Sequence, residues 1–190
     1  MRQAEETVKI ISNEEMKHWM ESAVLVEDYE INPNTLYVRP IVFKGEFYSF
    51  VLESDGGEYI TPCKPIDVVK RSCEFFGYDY EGQRKGTKSL TGYTHKAPIE
   101  IERAFSIFVF PTTSPERDHC MWISHAHVDS FAKNNPRETI VTFRNKRKLR
   151  LSVSYGTFET QLARTAILKT KKDRVILETG RKYQLSSNSE

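Results

Sequence analysis

Turn-forming residues divide the first third of the chain into short runs of β-branched and aromatic residues, and this division limits the possible folds most strongly. The runs are residues 23–31, 36–43, 47–52 and 58–61, and Asn-Pro-Asn, Lys-Gly-Glu and Asp-Gly-Gly triplets separate them. Asn, Asp, Gly and Pro favour turns, whereas β-branched and aromatic residues favour extended strands. The pattern therefore predicts a meander of about four antiparallel strands.

Residues 65–77 hold the clearest helical pattern. Pro65 suits the first turn of a helix, and Asp67 lies where the helix dipole favours negative charge. An apolar stripe follows at helical spacing, formed by Ile66, Val69, Cys73 and Phe76. Gly77 is a natural helix end, so a central helix with one buried side is predicted.

A second helix is predicted over residues 155–172. Its apolar residues repeat at helical spacing and are expected to face inward. This inward set is Phe158, Leu162, Ala166 and Ile167. The polar residues Gln161, Arg164, Thr165 and Lys169 are expected elsewhere on the helix surface.

The remaining segments predict loops and short strands. Residues 78–87 are punctuated by glycine and end in a cationic pair, which predicts an exposed loop. Short strands are predicted around residues 89–94, 99–102, 107–110 and 121–123, and a hairpin over 139–143 and 147–153. In that hairpin an apolar face alternates with a cationic one. The chain is therefore predicted to be α+β, with a mostly-β fold carrying peripheral helices as the alternative.

Composition excludes several protein classes. The chain has 190 residues, of which 38% are hydrophobic, enough for a buried core. No run approaches the roughly 20 apolar residues of a membrane span, and the first residues lack the apolar stretch of a signal peptide. Cys63, Cys73 and Cys120 are odd in number and irregularly spaced, which predicts free thiols and a cytoplasmic location.

The formal net charge of +2 conceals a strong asymmetry along the chain. Residues 1–62 hold 5 basic and 12 acidic side chains, whereas residues 144–190 hold 12 basic and 4 acidic ones. The middle of the chain, with 11 basic and 10 acidic residues, is almost neutral. A basic region in an otherwise balanced chain indicates a polyanionic partner such as nucleic acid.

The cationic residues fall in four places. These are Lys70-Arg71 on the central helix, Arg84-Lys85 with Lys88 after it, residues 144–150 on the hairpin, and residues 169–174 on the last helix. Lys and Arg attract phosphates without reading sequence, and a Gly-bounded loop that carries an Arg-Lys pair, as predicted for Arg84-Lys85, can enter the narrow minor groove of A/T-rich DNA. The pattern favours a nucleic-acid-binding protein.

Two other functions remain open. His119, Cys120, His125 and His127 lie within nine residues and are of the types that bind zinc, so a metal-dependent hydrolase is one alternative. The paired Cys-X-X-Cys spacing of a strong zinc pattern is missing, and no nucleotide-binding or hydrolase motif occurs. The acidic front of the chain suggests a second alternative, a protein-interaction module without DNA binding.

A dense series of motifs in the second and third quarters of the chain carries a family resemblance. In order, it comprises Pro65-Ile66, Arg71-Ser72-Cys73, Phe75-Phe76-Gly77, Tyr80, Gly82, Arg84-Lys85-Gly86-Thr87, His95-Lys96, Pro98-Ile99, Phe110-Pro111-Thr112, Cys120, Trp122 to His125, His127-Val128, Ser154-Tyr155, Phe158-Glu159, Gln161 and Arg164-Thr165-Ala166. Over roughly residues 35–172 the chain resembles the ComK family of bacterial competence transcription factors.

The resemblance implies an activator of DNA-uptake genes that recognises paired A/T-rich boxes, mainly through the minor groove. It implies a homodimer that assembles further on DNA, a cytoplasmic and nucleoid-associated location, and neither catalysis nor a cofactor nor a bound metal. The motif positions matched to the DNA surface are Arg84, Lys85, Thr87, Lys88, His95 and Lys96, with Arg71, Arg164 and Lys171 as a second group.

Three domain segments are predicted. Residues 1–34 form an acidic extension with a short helix after Ser12-Asn13, whose apolar side carries Met16, Trp19 and Met20. Residues 35–175 form the ComK-like DNA-binding domain, and residues 176–190 form a polar tail. The tail residues Tyr183 to Ser186 match poorly the motif that a proteolytic adaptor recognises in the best-studied branch of the family. Control by that route is therefore not predicted.

Overall fold

Two β-sheets and four helices make up the part of the chain that the computed structural model describes, residues 9–10 and 12–187. The strands are β1 (Lys9–Ile10), β2 (Val24–Leu25), β3 (Thr35–Phe43), β4 (Glu46–Glu53), β5 (Glu58–Thr61), β6 (Ile99–Glu102), β7 (Ile107–Pro111), β8 (Trp122–Ser124), β9 (Val128–Asn135), β10 (Glu138–Phe143) and β11 (Lys148–Leu151). The helices are α1 (Asn13–Ser22), α2 (Pro65–Phe75), α3 (Tyr80–Thr91) and α4 (Tyr155–Ser187), and a 3₁₀ turn covers His125–His127. The predicted α+β class is confirmed.

The large sheet has the strand order β2-β5-β4-β3-β8-β7-β6, with β1 alongside β3. Its pairs are antiparallel except β1 with β3 and β2 with β5, which are parallel and two residues long. The small sheet has the order β11-β10-β9 and is antiparallel throughout. Within the described ranges, no helix has the length and apolar character that a membrane crossing requires.

The large sheet separates two apolar clusters. Val51 of β4 belongs to one cluster, with Val69 and Cys73 of α2, whereas its neighbours Phe50 and Leu52 belong to the other. Successive side chains of a strand point to opposite faces, so this alternation assigns one cluster to each face. The second cluster also contains buried residues of the small sheet and Phe158 of α4, so the small sheet and the start of α4 cover that face.

The first predicted strand is much shorter than expected. Only Val24 and Leu25 of residues 23–31 form a strand, and it pairs with β5 in parallel. Tyr29 and Ile31 are still buried, but the Tyr29 hydroxyl and the Ile31 N–H form hydrogen bonds with side chains instead of with a neighbouring strand. The Ile31 N–H donates to Ser72 Oγ at 2.9 Å, and the Tyr29 hydroxyl donates to Glu53 at 2.6 Å. The predicted four-strand meander is therefore the three strands β3, β4 and β5.

The predicted loop over 78–87 and strand over 89–94 are both wrong, because α3 occupies residues 80–91. Asp79 caps the helix by accepting from the Gly82 N–H at 2.7 Å. Gly92 ends it with a left-handed φ of 79°. Tyr80, Gln83 and Thr87 lie on its buried side. Gly82 and Gly86 inside α3 have low helix propensity, and they made the segment read as a loop. Burial of the Tyr80 side of the helix and the caps at both ends outweigh that low propensity.

Helix α4 begins at Tyr155 as predicted but continues to Ser187, through most of the predicted tail. Gln161 and Thr165, expected on the surface, are buried, whereas Ile167 is 42% exposed. Hydrogen bonds explain the burial of Gln161, because its amide donates to the carbonyls of Lys96 at 2.9 Å and Pro111 at 3.0 Å. An apolar side chain at that position would leave both carbonyls without these bonds.

Other predicted elements are confirmed. Helix α2 begins at Pro65, and β10 and β11 form the expected hairpin, with Leu149 and Leu151 buried between exposed cations. Helix α1 follows Ser12, and its Trp19 packs on Phe50 with ring centroids 5.0 Å apart. The side chains of Met16 and Met20 lie outside the described residues. Strand β9, which is mostly exposed, was not predicted.

Candidate nucleic-acid interface

The predicted DNA-binding residues after α2 gather on α3 and on the segment that joins it to β6. Lys85 and Lys88 are exposed on α3, and within the described residues neither makes an ion pair. Arg84 is also exposed, and its Nε donates to Glu81 Oε2 one turn earlier at 2.9 Å. His95 and Lys96 follow in the connecting segment, where Lys96 has a φ of 49°. Four predicted cations and His95 therefore lie on α3 and the segment after it, which together are called the α3 surface.

A small cleft opens beside this surface. Arg84, His95 and Lys96 line it together with the first turn of α3 and residues 114–116. Its volume of about 140 Å³ is well below the roughly 300–1,000 Å³ of a pocket for a small-molecule ligand. Cationic side chains around a shallow opening suit an anionic group of a larger partner, such as a phosphate of a duplex.

Two carboxylates moderate the charge of the cleft. Glu81 accepts a hydrogen bond from Arg84, and Glu116 also lines the cleft. A hydrogen bond from the Ser114 hydroxyl lowers the pKa of Glu116, and the charges of Arg84 and His95 lower it further. The cleft is therefore a mixed-charge site in which an incoming phosphate competes with fixed carboxylates. This competition favours a ligand that offers several phosphates at once.

Helix α4 clamps the segment that carries His95 and Lys96. Arg164 donates to the His95 carbonyl at 3.3 Å, and its guanidinium lies 4.8 Å from the Tyr93 ring centroid. Lys171 donates to the Leu90 carbonyl at 2.7 Å. Both residues were predicted at the DNA surface, which stays a prediction, and both lie against the backbone between residues 90 and 95. These contacts hold the end of α3 and the backbone of His95 in place.

Thr87 and Arg71 differ from the other predicted site residues. Thr87 is fully buried, and its hydroxyl donates to the Pro98 carbonyl at 3.0 Å. A direct contact of its side chain with DNA is therefore unavailable in this fold, because Thr87 lies on the inner side of α3. Arg71 lies on α2 and pairs with the Asp28 carboxylate, on an element separate from the cleft.

The outer face of the small sheet is a second cationic surface. Lys148 and Arg150 of β11 are exposed and lie opposite Thr142 and Ile140 of β10. Within the described ranges, neither cation makes an ion pair. Two other cations of this hairpin are paired: Lys146 Nζ lies 3.1 Å from Asp129, and an Arg147 nitrogen lies 3.6 Å from Glu58. The predicted cationic face of the hairpin is confirmed.

The histidine-rich segment does not assemble into a metal site. Among the described residues, no group of three or more His, Cys, Asp or Glu side chains is arranged to hold a metal ion. His127 Nε2 lies 2.7 Å from the Pro33 carbonyl oxygen, which ties the 3₁₀ turn to the turn before β3. Burial raises the pKa of Cys120 to about 12, so its thiol stays protonated at neutral pH. These contacts are structural.

Sequence reasoning missed the residues that position the interface. Tyr93 supports Arg164, and Gln161 and Gln83 connect α4 to the cleft segment and to α3. Gln83 and Gln161 are both buried, and a buried amide must bond to backbone or to another polar partner. The spacing of Tyr80, Gln83 and Thr87 was the signal for the buried side of α3.

Comparison with known proteins identifies the family. The family model described as ComK protein matches residues 26–176. A curated relative from Bacillus subtilis (strain 168), named "Competence transcription factor", is 42% identical over 151 residues, which cover 79% of this chain and 78% of the relative. No solved structure shows a significant match. Since the family model covers most of the chain, and the α3 and α4 residues of the cationic surface lie within it, the chain belongs to the ComK family.

Proposed function

We propose that this competence transcription activator binds paired A/T-rich boxes, mainly through the minor groove, and that the α3 surface makes the first contacts. The observation that carries the proposal is a set of polar side chains on α3 and the segment after it, which α4 contacts: the exposed Arg84, Lys85, Lys88 and His95, and the half-buried Lys96. The relative named as a competence transcription factor supports the regulatory role.

The two types of cation have different tasks in this proposal. Lys85 and Lys88 are unpaired among the described residues, so they are available to contact phosphates and set the register on the duplex. Arg84 approaches the DNA already oriented by Glu81, which limits the side-chain entropy lost on binding. A guanidinium is more weakly hydrated than an ammonium and suits the narrow minor groove of A/T-rich DNA.

Paired boxes imply two-fold related subunits, so we propose that the protein acts as a homodimer that assembles further on DNA. We propose a cytoplasmic location, at the nucleoid. Binding of this kind requires neither a cofactor nor a catalytic group, and we propose that the protein is not an enzyme.

A band-shift experiment tests the proposal. An A/T-box duplex and a G/C-rich duplex of equal length are titrated at two salt concentrations, because phosphate contacts weaken as salt rises. The test variant is Arg84→Ala with Lys85→Ala. The control is Lys17→Ala with Lys44→Gln, which removes two exposed cations from α1 and from the β3–β4 turn.

We expect the wild type and the control to prefer the A/T duplex. We expect the Arg84/Lys85 variant to lose about 1–3 kcal/mol of that preference and to show a salt slope smaller by about 1. Equal binding of the wild type to both duplexes would contradict the A/T selectivity. If the Arg84/Lys85 variant kept the wild-type preference for the A/T duplex, the proposal that α3 contacts the DNA would be wrong.

A further inference from the structure

The tip of the β9–β10 hairpin projects a second set of free cations. We infer that this tip, residues 133–137, is an additional DNA-contacting element and that Arg137 enters the minor groove of the duplex. The inference rests on the proposed DNA-binding function and assigns a role to residues that neither the motifs nor the α3 surface includes.

Exposure and charge distinguish the tip from the rest of the small sheet. Every residue from Ala132 to Arg137 is exposed. Among the described residues, Lys133 and Arg137 make no ion pair. The neighbouring β10–β11 turn is anchored instead, because Asn145 Nδ2 donates to the Ser54 carbonyl at 2.9 Å. The β9–β10 tip therefore presents two cations to solvent, and neither is paired with a carboxylate among the described residues.

Local hydrogen bonds make the tip rigid. Asn135 pairs with Glu138, so Pro136 and Arg137 form a two-residue turn. The Arg137 N–H donates to Asn135 Oδ1 at 2.9 Å, and the Asn134 and Asn135 amides both donate to Glu138 Oε2. The proline fixes one backbone angle as well. Glu138, which borders the tip, thus accepts hydrogen bonds from these amides, and Arg137 stands at the apex of a preorganised turn.

The width of the hairpin, compared with the width of the DNA minor groove, indicates which part of the tip can enter that groove. Two paired strands are about 4.8 Å apart before side chains are added, and the minor groove is only about 6 Å wide. The strands themselves cannot enter that groove, but one arginine side chain at the apex of the turn fits it. The strong negative potential of a narrow A/T-rich minor groove attracts such an arginine.

The outer face of the small sheet provides the phosphate contacts beside this apex. Ala132 lies opposite Ile140, and Ile140 lies opposite Arg150, so the three form one row across the sheet. The next row contains Ser130, Thr142 and Lys148. Small side chains on β9 and cations on β11 leave a flat surface that a sugar-phosphate strand can approach. Phosphates at this face would orient the duplex toward the tip.

The test uses the full chain with Arg137→Gln, and Lys44→Gln serves as a matched control because Lys44 is also an exposed cation in a hairpin turn. Binding is measured by fluorescence anisotropy with three duplexes: A/T-rich, I/C-substituted and G/C-rich. An inosine–cytosine pair offers the minor-groove edge of an A·T pair but the major-groove edge of a G·C pair. Unchanged melting temperatures show that both variants are folded.

We expect Arg137→Gln to bind the A/T and I/C duplexes about 10- to 100-fold more weakly, with little change on the G/C duplex. Lys44→Gln should bind all three like the wild type. Unchanged binding by Arg137→Gln, or an equal loss on all three duplexes, would overturn the minor-groove role while leaving the proposed function intact. A wild type that binds no duplex would overturn the proposed function, and this inference with it.

Discussion

Glu100 is a buried carboxylate on which the position of α4 depends, and replacing it offers a sharp stability test. Its side chain is 6% exposed and lies 3.1 Å from Lys172 Nζ and 3.3 Å from an Arg103 nitrogen. Lys172 also donates to Gln83 Oε1 at 3.1 Å, so the cluster joins β6, α3 and α4. Glu100→Gln keeps the shape of the side chain and removes its charge.

The structure sets the size of the effect. Removing one partner of a buried ion pair costs about 3–5 kcal/mol, because the remaining charge loses its compensation. Here Lys172 keeps Gln83, and Arg103 keeps Asp173 at 2.6 Å, so we expect the lower limit, about 3 kcal/mol. With a urea m-value of about 2–3 kcal/mol per M, the unfolding midpoint should fall by roughly 1–1.5 M.

Urea titration followed by circular dichroism measures this shift. Glu102→Gln is the matched control, because Glu102 lies on the same strand and accepts from the neutral Ala104 N–H, a bond that Gln preserves. The double variant Glu100→Gln with Lys172→Met should be less destabilised than the sum of the single variants by about 1–3 kcal/mol. Additive losses, or a Glu100→Gln midpoint no lower than that of the control, would refute the buried-pair argument.

Three further predictions concern buried groups. Thr87→Val should lower the free energy of unfolding by about 1–3 kcal/mol, because it leaves the Pro98 carbonyl unpaired, without changing DNA affinity in a band shift. Burial raises the pKa of the Cys73 and Cys120 thiols to about 12, so a thiol reagent at about pH 8 should modify the half-buried Cys63 first and the other two only after denaturation. Burial lowers the pKa of the His125 side chain in the folded protein, so as pH falls this imidazole is protonated in the unfolded chain before it is protonated in the folded one. The free energy of unfolding should therefore decrease as pH drops below about 6.5, the ordinary pKa of histidine. His125→Asn should flatten that part of a thermal-unfolding pH profile.

The elements that could be predicted are those in which the apolar spacing and the residues at the two ends indicate the same structure. Helix α2 has Pro65 at its start, a regular apolar stripe and Gly77 at its end, and the β10–β11 hairpin alternates strictly. For α3 the local signals conflict, since Gly82 and Gly86 suggest a loop while Asp79 and Gly92 supply both caps. The buried contacts of Tyr80 and Thr87 decide the conflict, and these long-range contacts are not visible in a local pattern.

The candidate site also contains residues that a local sequence pattern predicts and residues whose position depends on long-range contacts. The cationic motif residues were predicted, but sequence did not distinguish Lys85, which is exposed, from Thr87, which is in the core. The difference is set by which side of α3 faces the sheet. The inward position of Gln161 could not be predicted either, because it depends on two carbonyls 65 and 50 residues away in sequence. Polar residues that satisfy distant backbone groups are the hardest to place from a pattern.

Strand β2 has a consequence for solubility. It pairs with Tyr59 and Ile60 of β5, and the next residue, Val26, donates to the Ile60 carbonyl at 3.0 Å. An uncovered strand edge is a template on which other chains add strands and aggregate. Because β2 covers that edge with two residues only, it offers little template itself. A chain trimmed to the family match at residue 26 loses β2, and its bare β5 edge should make it prone to self-association.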